Sequence, residues 1–273
     1  MKRYILSLIV TVGLIGSASA QTPSGELANG LISFYSFNGN TLDSTGNGNN
    51  GVATGITYSS DRYGNSTGAA SFTTGSSIAI PTLDGIAFHP TTYSLWLNMK
   101  QAPENGGALT VIGRMRTWSQ ETGALYLVNS QAGGGTLGGN NEIVYYTGRT
   151  VAKSTYQASA DNWFNLTFTY DSNQLASFYI NGSLVNSVSD PATQAYPYPF
   201  LIGASSILNG VDNNSTHSWI GGIDDVGIWD TALSSNQVSK LYVAQSLPEP
   251  STYALFGLGA IALIVAYRRR KTA

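Results

Sequence analysis

The amino-acid sequence predicts an all-β protein built as a two-sheet antiparallel jelly-roll sandwich. Short runs that alternate apolar and polar residues recur along the chain, and clusters of Gly, Asn, Ser and Thr separate them. Two such runs, 175–180 and 183–188, flank Asn181-Gly182, and Asn-Gly between alternating runs is the strongest short-range signal of a β-hairpin. Many short strands separated by turn residues are typical of sandwiches and jelly rolls.

Individual strands follow from their period of two. In the run 93–99, Tyr93, Leu95, Leu97 and Met99 fall on one face, which we expect to lie in the core. Further strands are predicted at 31–37, 77–80, 109–112, 124–128, 143–147 and 164–170.

One segment has helical periodicity. Residues 234–245 place Leu233, Val238 and Leu241 near one face, behind Ser235 as the predicted cap. The sequence therefore predicts a short helix after the last strand.

The first 20 residues have the three parts of a secretory signal peptide. Lys2 and Arg3 are positive, residues 4–16 are mostly apolar, and Ala18-Ser19-Ala20 is a small-x-small cleavage site. We expect cleavage after Ala20 and export of the chain. An uncleaved anchor is the alternative, although the apolar run is short for a membrane span.

The C-terminal segment, 247–273, has the pattern of a slightly short membrane anchor. Residues 252–267 carry no charge, and a helix of that length covers roughly 24 Å, against about 30 Å for a bilayer core. Local thinning or snorkelling of the flanking residues can make up the difference. The basic cluster 268–271 should stay cytoplasmic, which predicts a transmembrane helix with the body outside.

Pro248-Glu249-Pro250, the apolar stretch and the terminal Arg cluster, in that order, resemble a PEP-CTERM sorting signal. The resemblance implies that the tail is held in the inner membrane and that an exosortase-type protease cuts near the triplet. It also implies a Gram-negative bacterium, and a protein that ends at the cell surface or in the extracellular matrix.

Between the two processing segments lies one predicted domain, 21–246. The body up to Glu249 has seven basic residues against fifteen acidic ones, a formal charge of −8, and there is no cysteine. An acidic body argues against nucleic acid as a partner, because no basic patch is available to neutralise phosphates. Disulfides and thiol chemistry are excluded, and a domain of this size can bury enough core without them.

Three stretches resemble the laminin-G-like, concanavalin A-like jelly rolls, including the pentraxin-like group. They are LISFYSFNGNTLDSTGNGNNGVA from Leu31, NWFNLTFTYDSNQLASFYINGSLV from Asn162 and WIGGIDDVGIWDTALSSNQVSKLY from Trp219. The resemblance implies the fold but leaves the function open, because lectins, glycosidases and adhesion modules share this fold.

The carboxylates do not have the arrangement of a glycosidase. Such enzymes need two carboxyl groups flanking the scissile bond, and the Glu-x-Asp-x-x-Glu strand of the β-glucan hydrolases in this group is absent. The glutamates are isolated, His89 and His217 have no nearby partner in sequence, and the only acidic cluster is Asp224-Asp225 with Asp230. We therefore predict that the protein is not an enzyme.

The aspartates suggest a structural calcium ion. Asp43 lies in the loop 42–51, which is rich in small residues, and calcium binds six to eight oxygens from carboxylates, carbonyls and amides. The family resemblance implies that the first and last strands are neighbours and that some members hold calcium there. Asp43 and Asp224 are therefore the predicted ligands, and Asp225 could replace either. Turn capping and acceptance of backbone N–H groups are the alternative.

Two loop segments carry the predicted carbohydrate contacts. Arg116 and Trp118 lie between strands, and so do Tyr196 and Tyr198. Aromatic rings can stack on the apolar faces of sugars while arginine supplies directional hydrogen bonds. A structural lid is the alternative for each residue.

Together these features predict an exported surface or biofilm-matrix protein that recognises or organises extracellular polysaccharide. The alternatives are a structural adhesin that binds protein and an uncharacterised glycosidase.

Overall fold

Alternating apolar side chains bring two antiparallel sheets face to face, as the sequence predicts. The computed structural model describes residues 21–84, 91–104, 107–115, 121–129, 140–147, 150–189, 199–204, 206–207, 210–211, 217–247 and 267. The described strands, numbered in chain order, are β1 (Leu31–Tyr35), β2 (Val52–Thr54), β3 (Thr57–Ser59), β4 (Ala69–Phe72), β5 (Ser77–Ala79), β6 (Thr91–Met99), β7 (Ala108–Met115), β8 (Glu121–Val128), β9 (Glu142–Tyr146), β10 (Val151–Gln157), β11 (Trp163–Tyr170), β12 (Leu175–Ile180), β13 (Ser183–Ser189), β14 (Phe200–Ile202), β15 (Ser206–Ile207), β16 (Gly210–Val211) and β17 (Gly221–Trp229). Two short 3-10 helices, Gly25–Ala28 and Pro81–Leu83, and one α-helix, α1 (Ser235–Ser246), complete the described elements.

These strands form two large sheets and one small pair. Sheet A has eight described strands in the order β13-β12-β11-β6-β17-β4-β3, with β1 also paired to β17. Sheet B has seven described strands in the order β10-β9-β8-β7-β14-β5-β2, and β15 pairs with β16. The main core fills the space between the two large sheets and includes Tyr93, Leu95, Leu97 and Met99, which confirms the predicted inward face of β6.

The predicted hairpin is confirmed. Strands β12 and β13 pair with Ile180 opposite Ser183, so Asn181 and Gly182 form the two-residue loop. Their φ angles are 50° and 76°, the left-handed region that Asn and Gly tolerate best. A side chain at Gly182 would also lie 2.8 Å from the Cβ of Tyr242 on α1, so glycine lets the helix approach the turn.

Short strands with little apolar alternation were not predicted from the sequence. β2 is exposed throughout and β3 partly so, each is only three residues long, and each lies at the edge of its sheet. The predicted strand 31–37 is also too long: it ends at Tyr35, because Phe37 turns with a φ of 46°.

The final strand changes partner halfway along its length. Gly221–Ile223 pair with β4, whereas Val226–Trp229 pair with β1 on the same side. Asp224 is still paired with Trp96 on β6, but the register then shifts before Gly227, so that Asp225 and Val226 together lie opposite Leu95, and Asp225 has a φ of 48°. The two aspartates thus lie at the start of a bulge in the β17–β6 ladder.

The helix packs on the outer face of sheet A. Val238 and Leu241 lie in a second apolar cluster with Trp229, Tyr179 and Leu27. Its cap is Ser234 rather than the predicted Ser235: the Ser234 and Gln237 side chains form a reciprocal capping box.

Candidate functional site

The residues predicted to contact sugar are Arg116, Trp118, Tyr196 and Tyr198, and they lie outside the described part of the chain. The strands that flank them are described. β7 ends at Met115, directly before residues 116–120, and β14 begins at Phe200, just after residues 190–198.

The flanking strands place both attachment points at one end of sheet B. Arg114 on β7 and Phe200 on β14 are paired in register. Asp84, which precedes residues 85–90, accepts the backbone N–H of Phe200 at 2.7 Å through Oδ1. We call this set, Asp84, Arg114 and Phe200, the loop end of sheet B. Three chain segments therefore join the body at the loop end.

Arg114 gives the loop end a buried positive charge. The residue is 5% exposed, its Nη2 donates to the carbonyl of Leu83, and its guanidinium carbon lies 5.4 Å from the centre of the Phe200 ring. Burial lowers the pKa of Arg114, while nearby Tyr93 and Asp84 act to raise it. Arg114 therefore joins β7 to the segment that ends at Asp84 through a buried cation.

Asp43 holds the loop that follows β1. Its carboxylate accepts the backbone N–H groups of Phe34 at 3.2 Å, Thr45 at 3.0 Å and Asn49 at 3.1 Å. The Thr45 hydroxyl donates to Asp43 Oδ1 at 2.8 Å, and the Asn50 side chain accepts the backbone N–H of Asp43. This carboxylate therefore acts as a fold-stabilising acceptor, the alternative role that the sequence left open.

Asp224 and Asp225 form a buried ion cluster with Arg62. Arg62 Nη1 lies 2.7 Å from Asp224 Oδ2, and Nη2 lies 2.5 Å from Asp225 Oδ2. The aspartates are 3% and 1% exposed. The guanidinium carbon lies 4.2 Å from the centre of the Trp96 ring and 4.4 Å from that of Tyr63. We call these five residues the Arg62 cluster.

The Arg62 cluster contains one guanidinium and two carboxylates, and this excess of negative groups affects the pKa values of both Asp224 and Arg62. Burial and the neighbouring charge of Asp225 raise the pKa of Asp224 well above its usual value, although Arg62 opposes this shift. Burial by itself lowers the pKa of Arg62, but Asp225 and Asp224 raise it, and the net direction is upward. Arg62 is therefore charged at every physiological pH.

This donor set does not favour calcium. A guanidinium already occupies the space between Asp224 and Asp225, and protein donors surround the Asp43 carboxylate. Within the described residues, no group of three His, Cys, Asp or Glu side chains is placed to hold a metal ion. Strands β1 and β17 are neighbours, as expected, but the calcium site itself stays a prediction.

Sequence reasoning missed Arg62, which lies 162 positions from Asp224. One signal could have found it: two adjacent aspartates in an apolar strand need a cation, and the body has only seven basic residues. Spacing along the chain could not select among those seven.

The predicted processing residues, Ala20 and Pro248, Glu249 and Pro250, lie outside the described residues, as does nearly all of the predicted membrane segment. Helix α1 ends at Ser246, directly before them. No helix in the described part of the chain is long and apolar enough to cross a membrane.

Two family models match the chain. The model described as the concanavalin A-like lectin/glucanases superfamily matches residues 72–239, and the PEP-CTERM protein-sorting motif matches residues 246–271. Both predicted resemblances are thereby confirmed, and the second motif indicates an exported protein that is sorted at the membrane. The domain boundaries at 20 and 246 stay predictions. No curated protein matches the chain.

Solved structures with a similar fold include carbohydrate-related and toxin domains. Domain 4 of AbnA, a GH43 extracellular arabinanase from Geobacillus stearothermophilus solved with arabinotriose, is 23% identical with a TM-score of 0.58, covering 83% of this chain and all of that domain. The binding domain of Paraclostridial Mosquitocidal Protein 1 is 17% identical with a TM-score of 0.58, covering 78% of this chain and 52% of the other. The receptor binding domain of botulinum neurotoxin type G is 16% identical with a TM-score of 0.54, covering 80% and 51%. This chain thus spans about half the length of the toxin domains, and at these identities the likeness shows the fold.

Proposed function

This chain belongs to the concanavalin A-like lectin/glucanases superfamily, and we propose that it is an exported, non-enzymatic protein that binds extracellular polysaccharide at the loop end of sheet B. The observation that carries the proposal is the register pairing of Arg114 with Phe200. This pairing brings the attachment points of two aromatic loop segments, 116–120 and 190–198, to neighbouring strands.

The chemistry of the loop end suits a sugar ligand. Aromatic rings offer flat apolar surfaces, and guanidinium groups donate to hydroxyl oxygens or acidic sugar groups. The sequence supplies Trp118 and Arg116 on one segment and Tyr196 and Tyr198 on the other, while Arg114 adds a buried cation at the loop end. The AbnA domain, solved with arabinotriose, makes pentose oligosaccharides a reasonable first probe.

Three buried carboxylates that could be suspected of catalysis are engaged in the fold, which supports binding as the proposed role. A glycosidase needs two carboxyl groups that reach the substrate. Asp224 and Asp225 are adjacent, but both are buried and paired with Arg62. Glu142 is 8% exposed and accepts the backbone N–H of Thr155 at 2.9 Å. These groups therefore stabilise the fold.

The sorting motif supports a role at the cell surface or in the extracellular matrix. In this proposal an exosortase-type protease removes the tail near Pro248-Glu249-Pro250, after which the acidic domain organises the surrounding polysaccharide. The domain boundary near Leu247 suits this route, because α1 closes the described body just before the motif.

The decisive experiment measures sugar binding by the domain 21–247. Glycan arrays that include arabinan oligosaccharides and bacterial exopolysaccharides would find the ligand, and calorimetry would give its Kd. Trp118→Ala and Tyr198→Ala should each weaken binding about tenfold, the loss expected when a stacking ring is removed from a site. Tyr58→Ala, on the edge strand β3 of the other sheet, is the matched control and should bind as wild type does.

Three results would overturn the proposal. They are no binding to any glycan, equal binding by the loop variants and wild type, or release of reducing sugar from a bound polysaccharide. The last result would restore the glycosidase reading, and specific capture of a protein ligand without glycan binding would favour the adhesin.

A further inference from the structure

The last turn of α1 is fastened to the loop before β4. The backbone carbonyl of Gln245 accepts from Arg62 Nη2 at 2.8 Å and from the hydroxyl of Tyr63. Arg62 is itself fixed to Asp224 and Asp225 on β17. The end of the helix is therefore tied to β17, an inner strand of sheet A, through the Arg62 guanidinium.

This attachment is incompletely satisfied. Four buried polar atoms in the same place have no hydrogen-bond partner among the described residues: Arg62 Nε, Trp96 Nε1, and Nε2 and Oε1 of Gln245. Gln245 is only 1% exposed, so its amide is removed from bulk solvent. Unpaired buried polar atoms raise the free energy of the closed state, which makes this turn easier to open than the apolar turns before it.

The sorting motif begins where this turn ends. Its family match starts at residue 246, inside α1, and Pro248 follows Gln245 by three residues. Three extended residues span at most about 10 Å. Proteases commonly bind the residues around a scissile bond in an extended conformation. A protease that engages the residues just before Pro248 must therefore pull apart the turn that Arg62 and Tyr63 hold.

We propose that the Arg62–Tyr63–Gln245 contact is a latch that controls the rate at which the C-terminal tail is processed. When the latch is closed, the residues just before the motif stay in the last turn of α1, where the sorting protease cannot bind them in an extended conformation. When it opens, those residues become available to the sorting protease. Because processing of an opened segment follows the population of the open form, a weaker latch gives faster processing. This proposal does not depend on the proposed sugar binding, but it rests on the proposed processing of the tail near Pro248-Glu249-Pro250.

The test uses the full-length chain in a host that carries the sorting machinery. Pulse-chase labelling measures the half-life of the unprocessed form. Tyr63→Phe removes the hydroxyl that donates to the Gln245 carbonyl and accepts from Arg62 Nη2, without changing charge. Processing of Tyr63→Phe should be at least about twofold faster than that of wild type, because two hydrogen bonds are lost and each one supports roughly a two- to tenfold change. Tyr58→Phe removes a hydroxyl from the edge strand β3 that takes no part in the Arg62–Tyr63–Gln245 contact, and it should match wild type.

A second variant separates the latch from general stability. Insertion of Gly-Ser-Gly-Ser between Leu247 and Pro248 moves the motif away from the helix. It should speed processing by itself, and Tyr63→Phe should then add nothing further. Replacing Pro248-Glu249-Pro250 by alanines is the negative control and should leave the chain uncut.

The latch is refuted if Tyr63→Phe is processed at the wild-type rate, or if the insertion has no effect. It is also refuted if Tyr63→Phe accelerates processing equally in the inserted chain. Sugar binding by the domain is measured separately, so failure of the latch leaves the proposed function standing and the reverse also holds.

Discussion

Replacement of Arg62 by methionine tests whether the Arg62 cluster stabilises the body. The substitution keeps an unbranched side chain of similar length against Trp96 and Tyr63 but removes the only cation paired with Asp224 and Asp225 in the described contacts. Both carboxylates would remain in a site where they are at most 3% exposed. The variant thus measures the cost of removing the described cation from two buried carboxylates.

The expected loss is large. Removal of one partner from a buried ion pair typically costs about 3–5 kcal/mol, because the remaining charge stays desolvated. In a domain of about 230 residues, 1 kcal/mol corresponds to roughly 2–4 °C in Tm, so the melting temperature should fall by about 6–20 °C. The fall should be smaller at acidic pH, because the raised pKa of Asp224 lets this carboxyl become neutral there.

Differential scanning calorimetry of the domain 21–247 across the pH range gives both quantities. Lys100→Met is the matched control: Lys100 pairs with Asp161 at 2.7 Å, but the two side chains are 57% and 70% exposed. Breaking such a surface pair should cost about 1 kcal/mol or less. If Arg62→Met and Lys100→Met lower Tm equally, or if the Arg62→Met loss does not depend on pH, the cluster is not the buried electrostatic support that we describe.

Four further predictions follow from single contacts. Asp224→Asn should gain stability relative to wild type as pH rises from the ordinary aspartate pKa to the raised folded pKa of Asp224, because in that window the unfolded wild type loses a proton that the folded wild type keeps; parallel pH–Tm curves would contradict the assignment. Asp43→Ala should lower the free energy of unfolding by about 2–3 kcal/mol in urea titrations, since three backbone N–H groups lose their acceptor. An unchanged urea midpoint would mean that other contacts hold the loop after β1. EDTA and added calcium should leave Tm unchanged, because Arg62 and backbone donors already occupy the carboxylates of the predicted calcium ligands. A rise in Tm with calcium that Asp224→Ala abolishes would instead support the metal site. Gly182→Ala should cost about 1 kcal/mol or more in thermal unfolding, because φ is 76° and a Cβ would meet Tyr242, and a neutral effect would show that the turn can relax.

Most of the fold was predictable from the sequence, because short-range alternation and turn residues encode its strands and its hairpin. The inward face of β6 follows from alternation over seven residues, and the β12–β13 hairpin follows from Asn181-Gly182. Helix α1 was placed to within a residue at each end, since its apolar spacing and capping chemistry lie within 14 positions. Short edge strands such as β2 escaped prediction, because an exposed three-residue strand has no buried face to impose a pattern.

The candidate sites show the same difference between what a local pattern encodes and what long-range packing decides. The sequence marked Asp43, Asp224 and Asp225 as unusual and left two roles open for them, a shared calcium ion or acceptance of backbone N–H groups. In the structure, the Asp43 carboxylate accepts backbone N–H groups of its own loop, whereas Asp224 and Asp225 on β17 pair with Arg62. Arg62 lies 162 positions from Asp224 along the chain. No local pattern encodes that pairing, because it depends on the loop between β3 and β4 lying beside Asp224 and Asp225.

By itself, then, the sequence determined the all-β sandwich, the sorting tail and the acidic, cysteine-free character of the body, since each is written in composition or in short-range order. Tertiary structure alone decided that two aromatic loop segments join one end of sheet B and that the last helical turn is fastened beside the sorting motif. Both arrangements come from strand register and long-range packing, which bring together residues that the chain keeps far apart.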